Sequence, residues 1–147
     1  MMNDQSHYIE LWNVDDEGVV SLTRNGKEHA VPGAFSKMQF VVKPGTVTVD
    51  AGAEEFDVII QTATGRNGSW RDLANVHWEN PGDDATTTVI NGLFVNGTAN
   101  VAAMVTTTLA DDTVASSQAI GTRLRVRAVP TSGGTASFNV EVWLTNN

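Results

Sequence analysis

The sequence predicts an all-β protein: an antiparallel β-sandwich, jelly-roll-like, built from about eight to ten short strands with at most one short helical turn. Three observations carry that prediction. Thr122 to Val129 alternates polar and apolar without a break, and the alternation resumes through Phe138, Val140, Val142 and Leu144. Strict period-2 alternation marks strands buried on one side only. Turn signals recur about every 8–12 residues along the chain, the spacing of a sandwich or barrel. Thr, Val, Ala, Asn and Gly dominate the composition, while no segment longer than about ten residues carries helical periodicity.

Taken in order, residues 1–7 read as a polar arm and Tyr8 to Trp12 as a short first strand, ended by Asn13 to Gly18. Val19 to Arg24 and Lys27 to Val31 flank Asn25-Gly26, a strong hairpin signal because both residues tolerate positive φ. Met38 to Val42 and Thr46 to Val49 read as two short strands around Lys43-Pro-Gly45. Glu55 to Gln61 is the most apolar strand, with Phe56, Val58 and Ile60 toward the core. Ser69 to Leu73 follows a Gly-rich turn, and Val76 to Trp78 either extends that strand or begins the next.

Thr86 to Val89 and Leu93 to Val95 read as short strands separated by Asn91-Gly92. Asn96-Gly97 turns the chain into Ala99 to Thr107, whose Thr and Val favour a strand over a helix. Asp111 to Gln118 is polar and is the place for the single helical turn. Pro130 to Gly134 joins Thr122–Val129 to the final strand in a closing β-hairpin. If that hairpin sets Val126 opposite Val140, Arg125 faces Glu141 and Arg123 faces Trp143. The domain reading is a residue 1–12 arm and first strand, then a single sandwich over 13–147.

Composition narrows the function classes. The chain has 147 residues, enough for one domain with a sizeable core. It has no cysteine, which excludes disulfides, thiol catalysis and Cys-ligated zinc. A net charge of −8 disfavours nucleic acid and anionic membranes as partners. No apolar run is long enough to span a bilayer, and the first residues do not read as a secretory signal.

No nucleophile motif or metal-ligand spacing stands out. His7, His29 and His77 are far apart, and Asp15-Asp-Glu-Gly18 lacks the alternating carboxylates of a calcium loop. No enzymatic activity, cofactor or metal is therefore expected. Arg123, Arg125 and Arg127 are the only concentrated positive charge. They read either as cross-strand pairs within the sheet or as a stripe that docks on an acidic partner or a neighbouring subunit. Trp12, Trp70, Trp78 and Trp143 read as packing residues, or with Tyr8 as a sugar-stacking platform. Trp70 and Trp78 share a face if residues 70–78 form one unbroken strand.

The run from Phe56 to Leu73, closing on Ser-Trp-Arg-Asp-Leu, precedes Gly-Thr-Arg-Leu-Arg-Val-Arg-Ala (121–128) and Ser-Phe-Asn-Val-Glu-Val (137–142). Together these resemble small β-sandwich head decoration, or cement, proteins of tailed bacteriophages, over roughly residues 55–145. The resemblance implies a non-enzymatic virion protein, made in the host cytoplasm, that binds the capsid exterior. There it would stabilise contacts between major capsid subunits, as a homotrimer. His7, Tyr8, Trp12, Arg123, Arg125 and Arg127 are the candidate capsid or subunit interface, with the arm ordering on its partner. The competing reading is a carbohydrate- or receptor-binding module of a phage tail or fibre, which requires exposed, coplanar Trp rings.

Overall fold

In the computed structural model the described residues are 6–31, 37–50, 53–64, 68–79, 87–95, 98–102, 114–115 and 121–145. In chain order the elements are β1 (Ser6–Trp12), α1 (Val14–Glu17), β2 (Arg24–Asn25), β3 (His29–Ala30), β4 (Lys37–Thr48) and β5 (Glu55–Ala63). They continue with β6 (Arg71–Trp78), β7 (Thr88–Val95), β8 (Thr98–Ala102), β9 (Val114–Ala115), β10 (Arg123–Thr131) and β11 (Thr135–Thr145). Sheet A has the order β1-β11-β4-β7-β8 and sheet B the order β2-β10-β5-β6-β9, with β3 beside β2 on the same partner, β10.

Counting β2 and β3 as one strand and setting aside the outlying β8 and β9, the sheets read 1-8-3-6 and 2-7-4-5. That is the strand order of a jelly roll, two interlocked Greek keys. All pairings between named strands are antiparallel. The predicted all-β sandwich is therefore the observed architecture.

The alternation in sequence becomes the core. Phe56, Val58 and Ile60 from sheet B meet Phe138, Val140, Val142 and Leu144 from sheet A, all fully buried. At one end of the sandwich Phe138 stacks on Trp12 at 5.0 Å and meets Phe56 and Trp78 edge-on at 5.8 and 5.9 Å. Phe56 and Trp78 are themselves neighbours across β5 and β6. Four large rings from four strands thus bridge the two sheets, an arrangement that adds pairwise ring attraction to the burial of apolar area.

Several local expectations are corrected. The turn at Ser132-Gly133 exists, with both residues at positive φ, but the strands leaving it diverge. β10 pairs with β5, and β11 pairs with β4 and β1. Period-2 alternation says which face is buried and not which strand lies alongside. Asn25-Gly26 is not a hairpin tip either, because β2 and β3 lie in succession along β10. A Cβ on Gly26 would come within 2.8 Å of the Trp12 ring, so glycine lets this edge close over the indole.

The two strands expected around Lys43-Pro-Gly45 are one strand, β4, bulged where Phe138 pairs with Pro44 and Ala136 with Val47. Ser137 Oγ accepts from Thr46 N there at 2.9 Å, and a bulge is where a strand tolerates proline. Asn91-Gly92 likewise lies inside the single strand β7. β7 pairs antiparallel with β8, and the expected strand over Ala99 to Thr107 is seen as Thr98–Ala102; residues 96–97 and 103–107 lie outside the described residues.

Ser6 and His7 belong to β1, paired with Thr145 and Leu144, so the strand begins earlier than the arm reading allowed. Residues 1–5 lie outside the described residues. A helical turn sits at Val14–Glu17, where Asn13 Oδ1 caps Asp15 N at 2.8 Å, and within 111–118, the expected place for one, Val114–Ala115 is a short strand paired with β6. The rest of 111–118 lies outside the described residues.

Candidate functional site

The outer face of sheet B carries the arginine stripe that the sequence singled out. On β10, Leu124, Val126 and Ala128 are buried, so Arg123, Arg125 and Arg127 point outward. The register places Arg125 beside Gln61 and Arg127 beside Ile59. Arg125 Nε donates to Gln61 Oε1 at 2.9 Å, and Gln61 Nε2 donates to Asp72 Oδ1 at 2.8 Å. The Arg125 guanidinium lies 4.1 Å from the Trp70 ring centre, and that of Arg123 lies 5.1 Å from the same ring. Arg123 Nη1 also meets Glu28 Oε2 at 2.7 Å.

The expected partners Glu141 and Trp143 are on the other sheet. Glu141 pairs with Lys43 at 2.8 Å, and Trp143 with Tyr8 at 4.7 Å. The cation–π contact is thus present on a different tryptophan. Trp70 reaches the outer face because of a bulge in β6. Ile60 pairs with Ala74 but Gln61 with Asp72, so Leu73 is extra and both Leu73 and Ala74 are buried. One inserted residue reverses the parity and separates Trp70 from the buried Trp78.

The opposite end of the same face is acidic. Phe56 and Trp78 form an inward rung, and the residues flanking them turn outward: Glu55 and Asp57 on β5, His77 and Glu79 on and just beyond β6. His77 Nδ1 lies 2.7 Å from Asp57 Oδ1. Its Nε2 lies 3.9 Å from Glu55 Oε2 and 3.7 Å from Glu79 Oε2. The donor atoms of Glu55, His77 and Glu79 all fall within 4.8 Å of one another, a spacing that can hold a metal ion.

Partial burial opposes a charge on the His77 ring and is the largest single influence. The Asp57 hydrogen bond and the charges of Asp57, Glu55 and Glu79 together outweigh it, raising the pKa above 6.5. No helical ligand spacing marks this cluster in the sequence. The available signal was Glu-x-Asp on one strand and His-x-Glu on the next, which period 2 puts on one face.

The remaining candidates divide between core and surface. Trp12, expected at an interface, is 1% exposed and covered by Arg24, whose guanidinium lies 5.2 Å above the ring. It is a core residue because β1 is a full sheet strand. His7 is exposed on β1. Tyr8 and Trp143 are adjacent across β1 and β11, outward and 42% and 38% exposed. Burial together with the nearby Glu141 and Glu10 carboxylates raises the Tyr8 pKa, which keeps the phenol neutral and its face available for packing. Among the described residues no helix is long and apolar enough to cross a membrane.

The fold and this surface define a jelly-roll sandwich with one charged outer face and one aromatic edge. No family model matches the chain, and no curated protein matches it. A chain in a structure of infectious bursal disease virus, Gt strain, is similar to it at 11% identity and a TM-score of 0.38, covering 98% of this chain. The present chain spans 30% of that protein's length. A likeness that low carries no argument about fold or function.

Proposed function

We propose that the protein is a non-enzymatic virion structural protein, a capsid decoration or cement protein that docks on major capsid subunits from outside as a homotrimer. The observation that carries the reading is the Tyr8–Trp143 pair on β1 and β11 of a jelly roll. Jelly rolls recur in capsid and lectin domains, which is support by analogy only. The pair adds a specific feature: two adjacent, exposed, tilted rings beside the Lys43–Glu141 ion pair. Aromatic anchors rimmed by charged groups are what protein interfaces use as hot spots.

The arginine stripe contributes less to docking than its charge suggests. Arg123 and Arg125 are already engaged with Trp70, Glu28 and Gln61, and Arg127 makes no ion pair among the described residues. The carbohydrate reading fits the structure less well. It calls for coplanar exposed Trp rings, whereas Trp12 and Trp78 are buried, Trp70 is covered by two guanidiniums, and Trp143 is tilted by 50° against Tyr8.

Sedimentation of the protein alone and with decoration-free, expanded phage capsids tests the proposal. A trimer that co-sediments to saturation, weakened at least about tenfold by Tyr8→Ala with Trp143→Ala, is the expected result. A monomer that leaves capsids untouched overturns it.

A further inference from the structure

We propose that Glu55, His77 and Glu79 form a binding site for a divalent transition-metal cation of the zinc class, with Asp57 as the positioning residue. The argument starts from the register. β5 and β6 pair Phe56 with Trp78 and Asp57 with His77. The inward rung is fixed by the aromatic cluster, so the outward residues on either side of it are carried on a rigid frame. Two carboxylates reach the same imidazole nitrogen, Glu55 from across the strand pair and Glu79 from two residues along the chain.

The orientation of His77 is what separates this group from an acidic patch. An ionised carboxylate can only accept, so Asp57 Oδ1 at 2.7 Å takes the proton of Nδ1 as donor. In the neutral ring that leaves the lone pair on Nε2, and Nε2 is the atom facing Glu55 and Glu79. A carboxylate that fixes the tautomer of a metal-binding histidine is the usual outer support of such sites. The three donor atoms lie within 4.8 Å of one another, and small side-chain rotations bring them to the ~2.0–2.2 Å bonds of Zn²⁺.

One nitrogen and two oxygens suit zinc or a neighbouring first-row ion. Calcium and magnesium favour shells made of oxygen alone. His77 is only 14% exposed at its side chain and the two glutamates about a third. A cation there neutralises two carboxylates that are partly withdrawn from water.

The test is isothermal titration of ZnCl₂ into the chelator-treated full chain near pH 7.5, with melting temperature recorded in parallel. One equivalent should bind, with proton release and a raised Tm. His77→Ala should abolish binding, and Glu79→Gln, at the strand end, should weaken it at least about tenfold. Asp57→Asn should weaken it about 10–100-fold while leaving one equivalent bound. His29→Ala, away from the site, should change nothing. Absence of zinc binding in the parent chain overturns the proposal. So does full binding in folded His77→Ala or Glu79→Gln, or a site that takes Ca²⁺ or Mg²⁺ as tightly as Zn²⁺.

Discussion

The two ends of sheet B's outer face are built from the same strands and behave in opposite ways. At one end Arg123 and Arg125 lie over Trp70, tied to Glu28, Gln61 and Asp72, and beneath them are Leu124 and Thr62. At the other, Glu55, Asp57 and Glu79 surround His77 above the Phe56–Trp78 rung. At the basic end Arg123 and Arg125 are engaged by side chains already in place. The acidic end places three carboxylates around one imidazole, the arrangement on which the proposed cation site rests. Charge at a surface thus identifies a site only after its internal partners have been subtracted.

The aromatic cluster gives the largest expected contrast. Phe138→Ala should cost about 3–5 kcal/mol in guanidinium unfolding, because it removes the ring that touches Trp12, Phe56 and Trp78. Amide protection around Phe56 and Trp78 should fall further than protection around Leu124. Equal loss at both ends would show that the acidic end has no special anchorage.

Trp70→Ala should cost about 1–2 kcal/mol, since two guanidiniums lose one ring face, and it should leave zinc affinity unchanged. A loss of metal binding in that variant would mean the two ends are coupled. The Arg123–Glu28 pair is smaller still. Glu28 is 48% exposed, so a double-mutant cycle should give a coupling below ~1 kcal/mol that shrinks with added salt.

The histidines give the finest test, in direction only. His77 has a raised pKa. In chelator its contribution to stability is full below about pH 6.5, the unfolded value, and disappears as pH rises through the folded value. His29, on β3 at the basic end, is lowered by burial and then by Lys27. Its contribution is present above about pH 6.5 and is lost as pH falls through its lowered value. The parent-minus-variant difference in urea midpoint should therefore change with pH on opposite sides of about pH 6.5, above it for His77→Gln and below it for His29→Gln. Divergence on the same side would refute the charge segregation.

Much of this fold could be read from residue order. The Val126 and Val140 faces, the Phe56–Ile60 face and the turn at 132–133 were legible because alternation and positive-φ residues act locally. Bulges were not. Pro44-Gly45 and Leu73-Ala74 look like interruptions in sequence, yet each is one extra residue in a continuing strand. Neighbours across a sheet were equally hidden, which is why Arg125 was assigned to Glu141 when it belongs to Gln61 and Trp70. His77 looked isolated because its companions Glu55 and Asp57 are twenty or more positions earlier.

By itself, then, the amino-acid order determined that the protein is made of one-sided strands with a shared apolar face, because side-chain direction in a strand follows from covalent geometry alone. Tertiary structure decided which strands are neighbours, since many pairings satisfy the same alternation and only close packing of Phe138 among Trp12, Phe56 and Trp78 selects one. That selection put Trp12 in the core, stacked two arginines on Trp70, and set His77 between two glutamates.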